Sequence, residues 1–164
     1  MTSSNCPYYL APIGWYRECL TGVPYTAIAP NSCLINTRSG VQRLTIPLVG
    51  GSHAKRLPLQ DIRISDHGNW RHLHWQALQT AYGRTPFWEY YQDDFAPFFH
   101  DQRWERLADF NTAIHEVVMS LLDFAPEGVV TYPQNITPLL TEEYDLSIID
   151  LLCRKGNEAV AYLI

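Results

Sequence analysis

The four cysteines, Cys6, Cys19, Cys33 and Cys153, are widely scattered and form no CxxC pair. That excludes a zinc ribbon and a paired redox motif. No apolar run approaches the roughly 20 residues that a bilayer-spanning helix needs, so no membrane span is expected. The opening MTSSNCPYY has neither a basic region nor an apolar signal core, and the expectation is a cytoplasmic chain whose thiols stay free. There is no GxSxG, no serine in a nucleophile-elbow context, no internal repeat and no low-complexity segment. A hydrolase triad is therefore unsupported.

Basic residues are scarce in the second half. From Glu89 onward four of them face fourteen acids, whereas up to Trp88 eight face three, and the whole chain carries a net charge of −5. Such a chain is a poor binder of nucleic acid, while an anionic small-molecule substrate would be drawn to the first half. The plain alternative is that the charges only solvate two surfaces.

What the chain does have is a core's worth of apolar residues, 46% of 164, enough for one domain over residues 1–164 without staples. It is organised around Asn69 to Phe99. Trp70, Leu73, His74, Ala77, Leu78 and Ala81 recur at the three-and-four spacing of a buried helical stripe, with His74 as its polar member. Gly83 is expected to close this helix in the left-handed conformation, and Thr85-Pro86 to open the next. Upstream, a helix-like run from Ile13 to Leu20 stops at Gly22 and Pro24. Short strands follow at Tyr25 to Ala29 and Cys33 to Thr37, and a turn at Arg38-Ser39-Gly40 leads into Val41 to Val49, with Gln42, Leu44, Ile46 and Leu48 on the better core face. Gln60 to Ser65 alternates as a half-buried strand with Ile62 and Ile64 inward. Between these strands, GGSHAKRL offers backbone amides beside Lys55 and Arg56 that could hold a phosphate, or simply forms a basic turn.

Downstream, residues 101–124 read as the most regular helix, with Asp101 as N-cap and a stripe of Trp104, Leu107, Asn111, Ile114, Val118 and Leu121. Asn111 interrupts the stripe and needs hydrogen-bond partners. VVTYP is read as an edge strand, LSIIDLLCRKG as a helix closed by Gly156, and NEAVAYLI as a docked end. The fold class is α+β, a small mixed or mainly antiparallel sheet with helices packed on it; an α/β arrangement with a parallel sheet is the alternative.

His67, His72 and His74 lie close in sequence, but residues two apart diverge around a helix, so no metal site is expected, nor any cofactor. Trp75, Trp88, Tyr90 and Tyr91 could stack on a sugar or base, or fill the core. His74 reads either as a general acid or base or as a core histidine bonded to a neighbour.

The run WRHLHWQALQTAYGRTPFWEYYQDDFAPFF, the following LADFN, the opening YYLAPIGWY and the closing LSIIDLL together resemble the WbqC-like protein family, in the short form common in Bacteroidetes. Trp70, His74, Tyr82 and Pro86 match the family's central block, Asn111 its Asp-Leu/Phe-Asn segment, and Tyr9, Pro12 and Gly14 its N-terminal motif. The resemblance implies bacterial surface-polysaccharide or O-antigen biosynthesis, with lipopolysaccharide as the product class. On this reading the protein is an enzyme or binder acting on a sugar nucleotide or other activated sugar, a transferase being the enzyme class. His74 and Asn111 are the candidate catalytic pair. Tyr9, Pro12, Asn31, Tyr82 and Tyr91 are candidate substrate contacts, with Lys55, Arg56 and Arg71 near the phosphates. Where a basic run is expected around Asn31, Ser32 and Leu34 replace an arginine and a histidine. The alternative is therefore a non-catalytic interaction module that has lost the anion-binding run and meets a protein partner or a second copy.

Overall fold

The computed structural model describes residues 6–25, 29–101, 104–122 and 139–163. Its sheet is a single antiparallel hairpin of β1 (Ser32–Thr37) and β2 (Gly40–Thr45), with Cys33 opposite Leu44 and Ile35 opposite Gln42. The helices are α1 (Ile13–Thr21), α2 (Trp70–Tyr82), α3 (Trp88–His100), α4 (Leu107–Leu122) and α5 (Ile148–Lys155), joined in places by 3-10 turns. The fold is α+β, and the parallel-sheet alternative falls away. No described helix is long and apolar enough to cross a membrane.

The hairpin forms where its turn chemistry allows. Gly40 takes a φ of 110°, which a side chain would resist, and the Thr37 hydroxyl donates to the Gly40 carbonyl at 2.7 Å. Leu44, Ile46 and Leu48 are buried as the alternation requires, but Gln42, expected on the same core face, is exposed, and the strand ends at Thr45 instead of running to Val49. Pro47 has no N–H to give a ladder. Beyond it the chain changes partner: Ser65 donates to the Pro47 carbonyl and Val49 to that of Arg63. Residues 60–65 are accordingly a 3-10 turn followed by isolated bridges, with Ile62 and Ile64 inward.

Helix α2 lies against β1 and α3. Its buried face is Trp70, Arg71, His74, Trp75, Leu78 and Tyr82, so the expected stripe is rotated by about one position and Leu73 is 60% exposed. Gly83 stays right-handed, continuing the helical bonding to Gln79. Thr85 does not open the next helix. Its backbone N–H and its hydroxyl both donate to the Tyr82 carbonyl, which closes α2, and α3 starts only at Trp88. Helix α4 likewise begins at Leu107, six residues after the expected cap. The expected strand at Tyr25 to Ala29 falls largely on residues outside those described, and the one at 129–133 wholly so.

The closing segment packs in. The Ser147 hydroxyl accepts from the Ile149 N–H and caps α5, while the Ser147 N–H donates to the Leu34 carbonyl on the free edge of β1. Ala159, Val160, Ala161 and Leu163 are buried. At Gly156 the chain takes φ 55°, ψ −127°, a glycine-only conformation, and an added Cβ would lie 2.5 Å from the Phe87 ring. Gly22 also has positive φ but faces open space. Gly156→Ala is therefore expected to lower unfolding free energy by about 3 kcal/mol, against about 1 kcal/mol for Gly22→Ala. Urea unfolding of the two variants measures this; equal losses would show that Phe87 yields freely.

A buried polar clamp beside an open cleft

Four of the residues singled out by sequence meet in the interior. His74, 6% exposed on the inward face of α2, sets its Nδ1 3.0 Å from the Tyr9 hydroxyl, while the Thr45 backbone carbonyl favours the protonated ring. A buried phenol hydroxyl with Nδ1 as its acceptor makes the consistent arrangement a neutral imidazole protonated on Nε2, with Tyr9 donating to Nδ1. Trp70 meets the ring edge-on at 5.1 Å. Burial holds the His74 pKa down to about 4, and the Thr45 carbonyl only partly opposes this.

Asn111 enters from α4 and donates its amide to the Pro7 and Pro30 carbonyls, each at 3.1 Å. The Tyr9 N–H donates to the same Pro30 carbonyl at 3.0 Å. Asn31 donates its side-chain amide to the Ile46 carbonyl at 2.9 Å, and the Ile46 N–H returns a bond to the Asn31 carbonyl. His74 and Asn111 do not bond to each other. They grip the same structure, the N-terminal segment and the ends of the hairpin strands, from two helices. The Oδ1 atoms of Asn31 and Asn111 are buried without a partner.

The other expected site residues lie apart from this clamp. Tyr82 donates to Asp150 Oδ2 at 2.9 Å and accepts the Asn36 N–H at 3.2 Å, so it joins α2 to β1 and α5. Burial raises its pKa well above the ordinary phenol value. Arg71 pairs with Asp66 at 2.7 Å and lies 4.6 Å from the Trp70 ring centroid; its Nε and Nη2 are buried without hydrogen bonds. Pro12 is buried ahead of α1, bridged to Ser147. Tyr91 is 1% exposed, its hydroxyl unpartnered. Lys55 and Arg56 stand exposed on the 3-10 turn Gly51–Arg56.

Sequence reasoning missed a second tyrosine–histidine pair. Tyr16 on α1 meets His115 Nδ1 at 2.8 Å, with Trp15 edge-on to the ring. Its only sequence signal is that His115 follows Asn111 by four residues, on the same helical face. It also missed Asp150, a buried carboxylate that receives Tyr82 and Arg154 from separate directions. Burial pushes the Cys6 and Cys153 thiols up to about 12 and the Cys33 thiol higher, so these three are protonated at neutral pH. Among the described residues no three histidine, cysteine or acidic side chains gather to hold a metal ion.

Two open clefts flank the buried clamp. One, about 890 Å³, runs beside α4 and includes Cys6, Trp104, Glu105, Asp109 and Glu116 in its wall. The other, about 790 Å³, lies between the hairpin turn and the outer face of α2. Its wall holds Arg38, Arg84, three glutamines, Thr37, Ser39, Thr80 and the exposed Leu73, and no carboxylate. Gln42 reaches it because the pleat that buries Leu44 carries on past the edge of the core.

An α+β chain of this kind, with two helices clamping one hairpin through buried polar side chains, defines a class before it defines a reaction. The chain belongs to the WbqC-like protein family, whose model matches residues 29–138, from just before β1 to beyond α4. This is a family related in general to polysaccharide biosynthesis. No curated protein and no solved structure matches the chain. Asn31, His74, Tyr82 and Asn111 fall within the matched stretch, while Tyr9, Pro12 and Asp150 fall outside it.

The histidine gives a pH signature. Unfolded, it takes up a proton near its ordinary value of 6.5; folded, it resists until about 4. Its contribution is thus complete above pH 6.5 and is lost as pH falls toward 4, a change on the order of 3 kcal/mol. His74→Gln is expected to be less stable at pH 7 and to have a flatter stability profile between pH 6.5 and 4.5. Parallel profiles for the two proteins in urea melts would contradict the assignment.

Proposed function

We propose that the protein serves the biosynthesis of a bacterial surface polysaccharide, of which O-antigen is the expected type, by binding a sugar nucleotide or related activated sugar in the cleft between the hairpin and α2. The observation that carries this reading is the composition of that cleft. Amides, hydroxyls and guanidinium groups line it, with Leu73 as an apolar patch and no carboxylate to repel a phosphate. Sugar hydroxyls pair well with amide side chains, which both donate and accept, and the apolar face of a pyranose suits an exposed leucine.

The reading assigns binding to the cleft and positioning to the clamp. A general acid or base needs a ring nitrogen within reach of substrate and a pKa near the working pH. His74 is 6% exposed, its Nδ1 is engaged by Tyr9, and burial holds its pKa near 4. Its part, with Tyr9, Asn31 and Asn111, is to hold the hairpin against α2 so that the two walls keep their spacing. Of enzyme and binder, the two forms of the sugar-nucleotide reading, the binder is therefore the one these observations favour. Four free cysteines fit a cytoplasmic setting, where activated sugars are used.

Titration with a panel of sugar nucleotides, followed by amide NMR shifts, tests this. At least one is expected to shift residues 73–84 and the hairpin turn. Gln76→Ala and Gln79→Ala, both on the solvent face, should each weaken it about three- to tenfold without altering stability. A panel without response, or affinity untouched by both substitutions, would refute the reading.

A further inference from the structure

We propose that Arg38 and Arg84 form an anion clamp at one end of this cleft and take the phosphate groups of the ligand, in place of the expected Lys55, Arg56 and Arg71. The inference rests on the sugar-binding reading and adds to it the position of the anion and the class of ligand, a saccharide carrying a phosphate or diphosphate. It begins from the bond that joins the two walls. The Asn36 N–H donates to the Tyr82 hydroxyl, tying the last part of β1 to the last residue of α2. Arg38 and Arg84 each lie two residues beyond that tie and line the same cleft. Gln76 and Leu73 lie toward the other end of α2, which gives the cleft a cationic end and a neutral one.

Several of the other cations around the fold are already committed. Arg71 is paired with Asp66, Arg154 with Asp150 and Glu143, and Arg17 and Lys155 lie over tyrosine rings. Neither Arg38 nor Arg84 has an ion-pair partner among the described residues. Both stand on backbone that is already ordered. The Thr37 hydroxyl accepts the Ser39 N–H and donates to the Gly40 carbonyl, which frames Arg38. Thr85 bonds twice to the Tyr82 carbonyl, which frames Arg84. Ordered backbone lowers the entropy lost when a ligand is held.

The end of α2 would itself oppose an anion, since a helix C-terminus carries about half a negative charge. Two full positive charges outweigh it. The opposing field is also reduced, because the Gln79 carbonyl accepts the Gly83 N–H and the Tyr82 carbonyl is taken up by Thr85. Arg71 is a weaker candidate despite its unpartnered nitrogens, which are shut away beside the Trp70 ring and touch neither cleft. Lys55 and Arg56 are uncommitted but line neither cleft.

Titration of the full chain with sodium pyrophosphate at constant ionic strength, read by amide and arginine side-chain NMR, tests the clamp. Shifts are expected at residues 37–40 and 82–85. R38Q and R84Q should each weaken pyrophosphate about tenfold and together abolish it, while the K55Q/R56Q double variant binds as the native protein does. Shifts centred on residues 53–56, or affinity kept in the R38Q/R84Q double variant, would overturn it. Uridine diphosphate glucose and free glucose separate this from the broader reading. If pyrophosphate behaves as expected and the sugar nucleotide binds no tighter, the clamp stands and the sugar reading falls. If the sugar nucleotide binds through Gln76 and Gln79 with full strength in the double variant, the sugar reading stands and the clamp falls.

Discussion

The structure depends on how the carbonyls at the mouth of the hairpin are satisfied. A sheet of two strands leaves much of its backbone without a strand partner, and here Asn31, Ser32 and Ile46 at the mouth of the hairpin are buried. Side chains and the N-terminal segment fill the gap: Asn111 and the Tyr9 N–H on the Pro30 carbonyl and Asn31 on the Ile46 carbonyl, with the Tyr9 hydroxyl in turn meeting His74 of α2. Each such carbonyl left bare in the interior would cost about 1 to 3 kcal/mol. Together these bonds decide where the hairpin sits relative to α2. That placement makes the outer cleft, whose walls are the hairpin and the opposite face of the same helix.

The replacement of an expected basic run by Ser32 and Leu34 takes on a structural meaning. The Ser32 hydroxyl bonds to that of Thr45 across the strand pair at 3.0 Å, and the Leu34 carbonyl receives Ser147. Of the two, the Ser32 side chain ties the hairpin to itself, whereas the Leu34 bond to the closing segment is made by backbone and does not depend on the side chain. The positive charge that the first half of the chain does carry divides accordingly: Arg71 is used inside, Arg38 and Arg84 are left over the cleft. The overall charge of the chain says little about this, since the groove beside α4 bears Glu105, Asp109 and Glu116 while its counterpart bears no acid.

Much of the fold was legible because apolar spacing reports the buried face directly. His74 and Asn111 were readable as polar residues on inward stripes, and both are buried. The hairpin turn and the Gly156 close of α5 announced themselves through residues with few other uses, whereas the Ser147 cap of α5 came only with the structure. The rotated stripe of α2 was not legible. Leucine outranks arginine on any hydrophobic scale, yet Arg71 is buried because Asp66 and Trp70 receive it, and Leu73 is left outside. Tyr82 with Asp150, 68 residues apart, and Tyr16 with His115, 99 apart, depend on packing that spacing does not encode. The cleft was hidden for another reason. Glutamine, threonine and arginine on the outside of a helix look the same in sequence whether they face bulk water or an opposing wall.

The central claim is that His74 is a neutral fastening between helix and hairpin, leaving ligand recognition to the outer cleft. Its imidazole nitrogens report this directly in a long-range proton–nitrogen NMR spectrum recorded across pH. The account predicts one resolved tautomer, protonated on Nε2 and bare on Nδ1, unchanged from pH 8 to about pH 5. A His74 ring that exchanges between tautomers at neutral pH, or that titrates near 6.5, would contradict it.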